Sequence, residues 1–281
     1  MIRIITDSTS DIGLDYAKEL NIEIVPLKVI LNTAEYKDRI DLQPEKFYEL
    51  LENCDALPTT SQPAPQDFMD FFEDAKQKKD SVILITLSSG LSGTYQNACM
   101  AKDLVEYEDI HIIDSLSATQ ALRLIVEKAV SLRDKGFSAE EIVKEIENYK
   151  TRVKIYGIVD TLEFLFKGGR LSRTSATVGS VLKLKPIIGF KEKGKLDVFG
   201  KARGTQKATD KLIDLIKQGN EIDLDEPVCI AYTGNNTSIE KFENKLKDEL
   251  GIKNVKHGVV GPVIGTHAGP GACLITYVTK K

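Results

Sequence analysis

The sequence predicts an α/β protein of two domains. An N-terminal parallel-sheet α/β domain is expected over residues 1–151, and a C-terminal α+β domain with a mixed sheet over residues 152–281. Three observations carry this. The 281 residues suit one large or two ordinary domains. Short apolar runs alternate with amphipathic helical segments up to about residue 150, the pattern of a parallel sheet with helices on its faces. After that point the pattern changes: Lys185–Phe190 and Lys195–Gly200 flank Lys191-Glu192-Lys193-Gly194, a hairpin signal.

In chain order, Ile2–Thr6 reads as a first strand. Asp7-Ser8-Thr9-Ser10-Asp11 follows as a polar turn in which Ser10 or Asp11 caps a helix around Leu14–Leu20. Ile22–Ile30 reads as a second strand, with Pro26 placing it near an edge or bend. Pro44–Asn53 is a helix with Phe47, Leu50 and Leu51 on one face. Pro58-Thr59-Thr60-Ser61-Gln62-Pro63-Ala64-Pro65 is too rich in proline for a helix and reads as a stiff loop before a helix over Gln66–Lys79. Val82–Leu87 is a buried strand, and Tyr95–Ala101 begins the helix after it. His111–Ser115 is a strand edge, and Ala118–Lys135 and Ala139–Lys150 are helices, the second opened by the capping box Ser138-x-x-Glu141. In the C-terminal part, strands are expected at Val153–Val159, Val228–Tyr232, Val255–Val259 and Leu274–Val278. Helices are expected at Thr161–Lys167, Thr205–Gln218 and Ser238–Leu250.

Composition excludes several classes. A net charge of −4 gives no general attraction for nucleic acid. No apolar run approaches the ~20 residues of a membrane span, and the N-terminus turns acidic at Asp7, too early for a secretion signal. Cys54, Cys99, Cys229 and Cys273 are widely spaced, which points to reduced thiols in a cytoplasmic protein rather than to a metal or redox site. There is no phosphate-binding G-x-x-x-x-G-K-[ST] loop and no acidic spacing typical of a metal site.

The chemistry-bearing stretch is Ser88-Ser89-Gly90-Leu91-Ser92-Gly93-Thr94, placed where a strand turns into a helix. At that edge of a parallel sheet ligands bind, glycines admit close backbone approach, and hydroxyls with free helix-start amides suit a carboxylate or phosphate. Gly265-Thr266-His267-Ala268-Gly269-Pro270-Gly271 is read as a tight, exposed turn presenting His267 to an anionic oxygen. Residues 167–207 carry eleven Lys or Arg against Glu192 and Asp197, a local basic field without interleaved aromatic platforms. Arg170, beside a Gly-Gly pair, and Arg203, between Ala and Gly, are the best candidates there for specific contacts. A competing reading takes Ser92, Asp114 and His267, in that chain order, as the triad of a serine hydrolase of acyl esters. Against it, Gly90-Leu91-Ser92-Gly93-Thr94 lacks the last glycine of the G-x-S-x-G elbow.

Four stretches taken together resemble the DegV family: Thr6–Asp11, Thr60-Ser61-Gln62-Pro63, Ser88–Gln96 and Gly265–Gly271, with Lys167-Gly168-Gly169-Arg170 between them. Members of that family include the FakB subunits of bacterial fatty acid kinase. The resemblance implies two α/β domains with a long-chain fatty acid buried between and within them, and no cofactor and no catalysis by this chain itself. It implies an ATP-binding kinase partner, FakA-like, that phosphorylates the bound carboxyl, the acyl phosphate then entering phospholipid synthesis. Carried onto this chain, Thr60 and Ser92 match the carboxyl-binding hydroxyls, with Ser61 and Thr94 as neighbours. His267 and Arg203 match residues near the head group that serve phosphorylation, and Arg170 and Arg173 fall in the basic segment expected to face the kinase. A transient contact with a membrane surface is compatible with that basic field.

Overall fold

The structure, a computed structural model, describes residues 1–54, 56–171, 184–235 and 237–281. Arg173 and Lys183 of the basic stretch lie outside the described residues. The N-terminal elements are β1 (Ile2–Asp7), α1 (Leu14–Glu19), β2 (Ile22–Val25), β3 (Lys28–Leu31), β4 (Ala34–Lys37), α2 (Pro44–Glu52), β5 (Thr59–Ser61), α3 (Pro65–Lys78), β6 (Ser81–Thr86), α4 (Thr94–Val105), β7 (Ile110–Asp114), α5 (Thr119–Asp134) and α6 (Ala139–Arg152). There follow β8 (Val153–Ile158), α7 (Glu163–Lys167), β9 (Leu184–Phe190), β10 (Leu196–Arg203), α8 (Thr205–Gln218), β11 (Val228–Tyr232), α9 (Ile239–Leu250), β12 (Val255–Val259), α10 (Pro262–Ala268) and β13 (Cys273–Val278). No helix among the described residues is long and apolar enough to cross a membrane.

Continuous apolar runs produce the first sheet. Its strands are parallel in the order β2-β1-β6-β7, and Val82, Ile83, Leu84 and Ile85 are fully buried because helices cover both faces. The second sheet is mixed, in the order β10-β9-β8-β13-β11-β12, with only β11 and β12 parallel. The hairpin signal at 191–194 joins β9 to β10 antiparallel, with Lys193 and Gly194 at φ 62° and 64°. The capping box of α6 also forms: the Glu141 amide donates to Ser138 Oγ and the Ser138 amide to the Glu141 carboxylate.

Three readings are corrected. The strand expected over Ile22–Ile30 is two strands, because Pro26 has no N–H to continue the ladder. Its first half, β2, pairs with β1, and its second half, β3, centres a small antiparallel sheet β4-β3-β5. The proline-flanked stretch around Thr60 is not only a loop: Thr59–Ser61 forms β5 against β3, with Thr60 opposite Val29. Restricted φ and pre-proline bias favour extended backbone, which is what a short edge strand needs. Finally, neither Ser10 nor Asp11 caps α1. Gly13 stands at that position without a side-chain bond, and Asp11 is buried, where it accepts from the Gly261 amide and the Arg39 guanidinium.

One apolar core runs through both large sheets. Ile4, Ile83 and Ile85 of the first belong to the same buried cluster as Ile155, Ile188 and Leu274 of the second, and α5 packs against strands of both. The outer faces have cores of their own. Phe68 and Phe72 of α3 lie under the first sheet, and Leu212 of α8 and Phe242 of α9 lie under the second.

A backbone clasp joins the two sheets beside the serine-rich turn. Ser88 Oγ donates to the Gly194 carbonyl at 2.7 Å, and a Cβ on Gly90 would lie 2.6 Å from that same oxygen. Gly194 itself has φ +64°, and a Cβ there would collide with Ser88 Oγ. Gly194→Ala is therefore expected to destabilise by at least ~1–2 kcal/mol from the left-handed backbone alone, read as a lower denaturation midpoint. A wild-type midpoint would show that the clasp is not tight.

Candidate functional site

Strand β5, strands β8, β9, β10 and β13 of the second sheet, and helices α5, α7 and α10 converge on one cavity. It has an empty volume of about 790 Å³, which counts adjoining open solvent. Most of its lining is apolar: Leu27, Leu87, Leu91, Leu165, Val263 and Ile264 on one side, and Ile155, Ile188, Phe190, Leu196 and Leu274 from the second sheet and its hairpin. Polar side chains gather at Thr60, Gln62, Ser92, Arg170 and His267.

The loops that carry Thr60 and Ser92 are tied together. The Gly93 amide donates to Gln62 Oε1 at 2.8 Å, and Asn97 Nδ2 donates to the Pro63 carbonyl at 2.8 Å. A Cβ on Gly93 would lie 2.6 Å from the Gln62 amide group, so glycine there permits the close approach. Thr94 does not line the cavity. It supports Ser92 from behind, the two hydroxyls being 2.9 Å apart, and the Ser92 oxygen also faces the Thr94 amide at the start of α4. Ser61, next to Thr60 on a strand, points elsewhere and bonds the Gln62 carbonyl.

His267 requires a correction. It is not in an exposed turn but in the last turn of α10, buried to 9% exposure. Pro262 starts that helix at its first turn, Gly269 at φ +72° stops it, and Gly265 survives inside because a Cβ would lie 2.5 Å from the Tyr48 hydroxyl. Its Nε2 is 2.8 Å from Thr60 Oγ1, while its Nδ1 is buried without a hydrogen bond among the described residues. Burial, and then the Arg170 charge, push the imidazole down to about 4, so it is neutral at pH 7.

That shift has a signed consequence. The unfolded imidazole binds its proton near pH 6.5 and the folded one near 4, so the folded state loses stability as pH falls from about 6.5 to 4. Asp7 and Asp38 act oppositely: burial raises their folded carboxyls to about 6 and about 7, so the folded state gains stability as pH falls through that range. His267→Asn removes only the first effect. The stability of this variant relative to wild type should rise by up to ~3 kcal/mol between pH 6.5 and 4, measured by urea unfolding. A difference independent of pH would contradict the burial of a neutral ring.

Arg170 is half-buried, with Nε donating to the Leu91 carbonyl at 3.2 Å and one terminal nitrogen to the Gly168 carbonyl at 2.6 Å; burial lowers its pKa. Arg203 is exposed at the end of β10 and lines neither this cavity nor the next. Several lysines of the basic stretch are paired: Lys167 with Glu163, Lys185 with Asp160 and Lys191 with Asp197.

A second, more polar cavity, of about 1,080 Å³ and open to solvent, is lined by Thr59, Thr60, Lys167, Gly168, Arg170 and His267 among others. Thr60, Arg170 and His267 line both cavities and so form the wall between them. The hydrolase triad does not assemble. Ser92 bonds Thr94, the Asp114 carboxylate accepts from the Ser89 and Leu116 amides, and His267 bonds Thr60. Each polar group is already held by a nearer partner. Among the described residues no group of three or more His, Cys, Asp or Glu could hold a metal.

Sequence reasoning missed Gln62 as a tether, although it sits in the Thr60–Pro63 motif. It also missed Gly168, whose bare Cα makes room for the His267 ring: a Cβ there would collide with Nδ1.

Comparison with known proteins agrees with the fold. A DegV domain-containing protein of Caldanaerobacter subterraneus is 40% identical over 281 residues, covering 99% of each chain. A solved structure described as fatty acid binding of a DegV family protein from Thermus thermophilus superposes with TM-score 0.89 at 30% identity, covering 99% of each chain. That of DegV, a fatty acid binding protein from Bacillus subtilis, gives 0.85 at 32% identity, again over 99% of each chain. A family model described as "Uncharacterised protein, DegV family" matches residues 1–280, and with these relatives it makes this chain a member of the DegV family.

Proposed function

We propose that this chain is a cytoplasmic carrier that binds a long-chain fatty acid and presents its carboxyl to an ATP-dependent kinase partner. The partner would transfer the terminal phosphoryl group of ATP to a carboxylate oxygen, leaving ADP and an acyl phosphate for phospholipid synthesis. The chain itself is then a lipid-binding subunit and not the catalyst. The observation that carries the reading is the pair of cavities divided by Thr60, Arg170 and His267, one apolar and one of mixed polarity.

The magnitudes support a division of labour. Burying ~15 methylenes contributes on the order of 12 kcal/mol before ordering costs, whereas head-group hydrogen bonds add about 1–3 kcal/mol. The tail supplies affinity, and the hydroxyls of Thr60 and Ser92 supply placement. A carboxylate that accepts the Thr60 hydroxyl hydrogen leaves His267 to donate Nε2–H to Thr60, so Nδ1 stays bare. Neutral donors hold the carboxylate without the strong ion pair that would stabilise it against transfer. Arg170 offers positive charge where phosphoryl oxygens would lie, and Lys167, paired with Glu163, also lines the second cavity.

The first test is mass spectrometry of the intact protein with analysis of its organic extract. A stoichiometric long-chain fatty acid is expected. Thr60→Val combined with Ser92→Ala should weaken stearate binding about tenfold or more, and should reduce acyl phosphate trapped as hydroxamate when ATP and the kinase partner are supplied. A protein that carries no lipid and takes up neither palmitate nor oleate would overturn the carrier reading.

A further inference from the structure

We propose that the acyl cavity contains a second polar point, at Thr119, that takes a neutral oxygen borne along the chain, as in a hydroxy- or oxo-fatty acid. This rests on the fatty-acid reading above. Among the buried side-chain polar atoms without a hydrogen bond in the described residues, two belong to residues lining the apolar cavity: His267 Nδ1 at the polar end, and Thr119 Oγ1. Thr119 is 3% exposed and is the first residue of α5, a helix of 16 residues. Ala118 before it also lines the cavity and offers no side chain to cap the first-turn amides.

The backbone is unusual at the same place. Thr119 has φ +53°, a left-handed conformation that is an outlier for a β-branched residue. Such strain persists only where the surroundings hold it, and it clusters at ligand contacts. The unpaired hydroxyl belongs to a residue that lines the cavity beside an uncapped helix start, so its one donor hydrogen and its acceptor lone pairs have no partner among the described residues. A plain alkyl chain would leave it unpaired. A hydroxyl or keto oxygen would satisfy it, whereas a second carboxylate would bring a charge too costly for the apolar lining.

The test uses full-length protein stripped of lipid. Stearate, 3-, 10- and 12-hydroxystearate and 10-oxostearate compete against labelled stearate, in wild type and in Thr119→Val, which keeps the branched shape and removes the hydroxyl. In wild type at least one oxygenated chain should bind within about threefold of stearate or tighter. Thr119→Val should lower the affinity for that chain about tenfold relative to stearate, the effect of one buried unpaired hydroxyl. Thr119→Ser, which retains the hydroxyl, should keep the wild-type ratio. Oxygenated chains that all bind more than about tenfold weaker than stearate in wild type, or a ratio unchanged by Thr119→Val, would overturn this inference alone. Failure of wild type to take up stearate would overturn the fatty-acid reading and this inference with it.

Discussion

Gly168→Ala is expected to unseat His267 and to destabilise the protein by about 1–3 kcal/mol, the cost of leaving a buried polar group unpaired. Gly168 closes α7 at φ −75°, so its backbone does not require glycine. The requirement is spatial, since an added methyl would collide with His267 Nδ1 and lie 2.9 Å from the Phe164 carbonyl. The ring must move, and the Thr60–His267 bond is lost with it. A double-mutant cycle isolates the effect. In a His267→Ala background the methyl finds empty space where the imidazole stood, so Gly168→Ala should cost at least ~1 kcal/mol less than in wild type. Equal costs in the two backgrounds, read from denaturant midpoints, would mean that Gly168 is not what positions the ring. Stearate affinity should fall in parallel in the single variant.

On the fatty-acid reading, Gly157→Leu is expected to shorten the acyl chain that the cavity accepts. Gly157 lies opposite Leu274 and Ile188 in neighbouring strands, and all three line the cavity with Ile155. A Cβ at 157 would meet Leu274 at 3.4 Å and Ile188 at 3.6 Å, which is ordinary contact. A methyl is therefore tolerated, while a longer side chain must extend into the space for the tail. Displacing three to four methylenes costs roughly 3 kcal/mol, about a hundredfold in affinity. Eighteen-carbon acids should lose that much, and chains that stop short of position 157 should lose little. A series of saturated acids measures this directly, and an unchanged profile of affinity against length would show that the tail does not cross Gly157.

What was legible in the sequence followed local physics. Apolar runs placed the strands, the Ser138–Glu141 box placed α6, and the hydroxyl-rich turn after β6 did put Ser92 in a cavity wall. Long-range contacts were not legible. Glycine-rich sequence around His267 looks like an open turn until Tyr48, from α2, is brought against Gly265. Pro26 announced a bend, but only the pairing partners reveal that the two halves of that run belong to different sheets. Ser88 belongs to the hydroxyl-rich stretch that suits an anion, yet its hydrogen goes to Gly194 more than a hundred residues away. The apolar lining of the cavity is assembled by strand register from positions such as Ile155, Ile188 and Leu274, which carry no signal beyond being apolar.

The wall formed by Thr60, Arg170 and His267 has two sides, and occupants of the two cavities would share those three residues. If an acid in the apolar cavity tightens the docking of a partner over the polar one, the partner must tighten retention of the acid by the same factor. Loading and docking then reinforce each other, and cargo is not lost while the partner is seated. On the carrier reading, unloading demands the reverse: either the partner departs first, or a phosphoryl group newly attached to the cargo would turn the sign of the coupling, so that the product weakens the complex that made it.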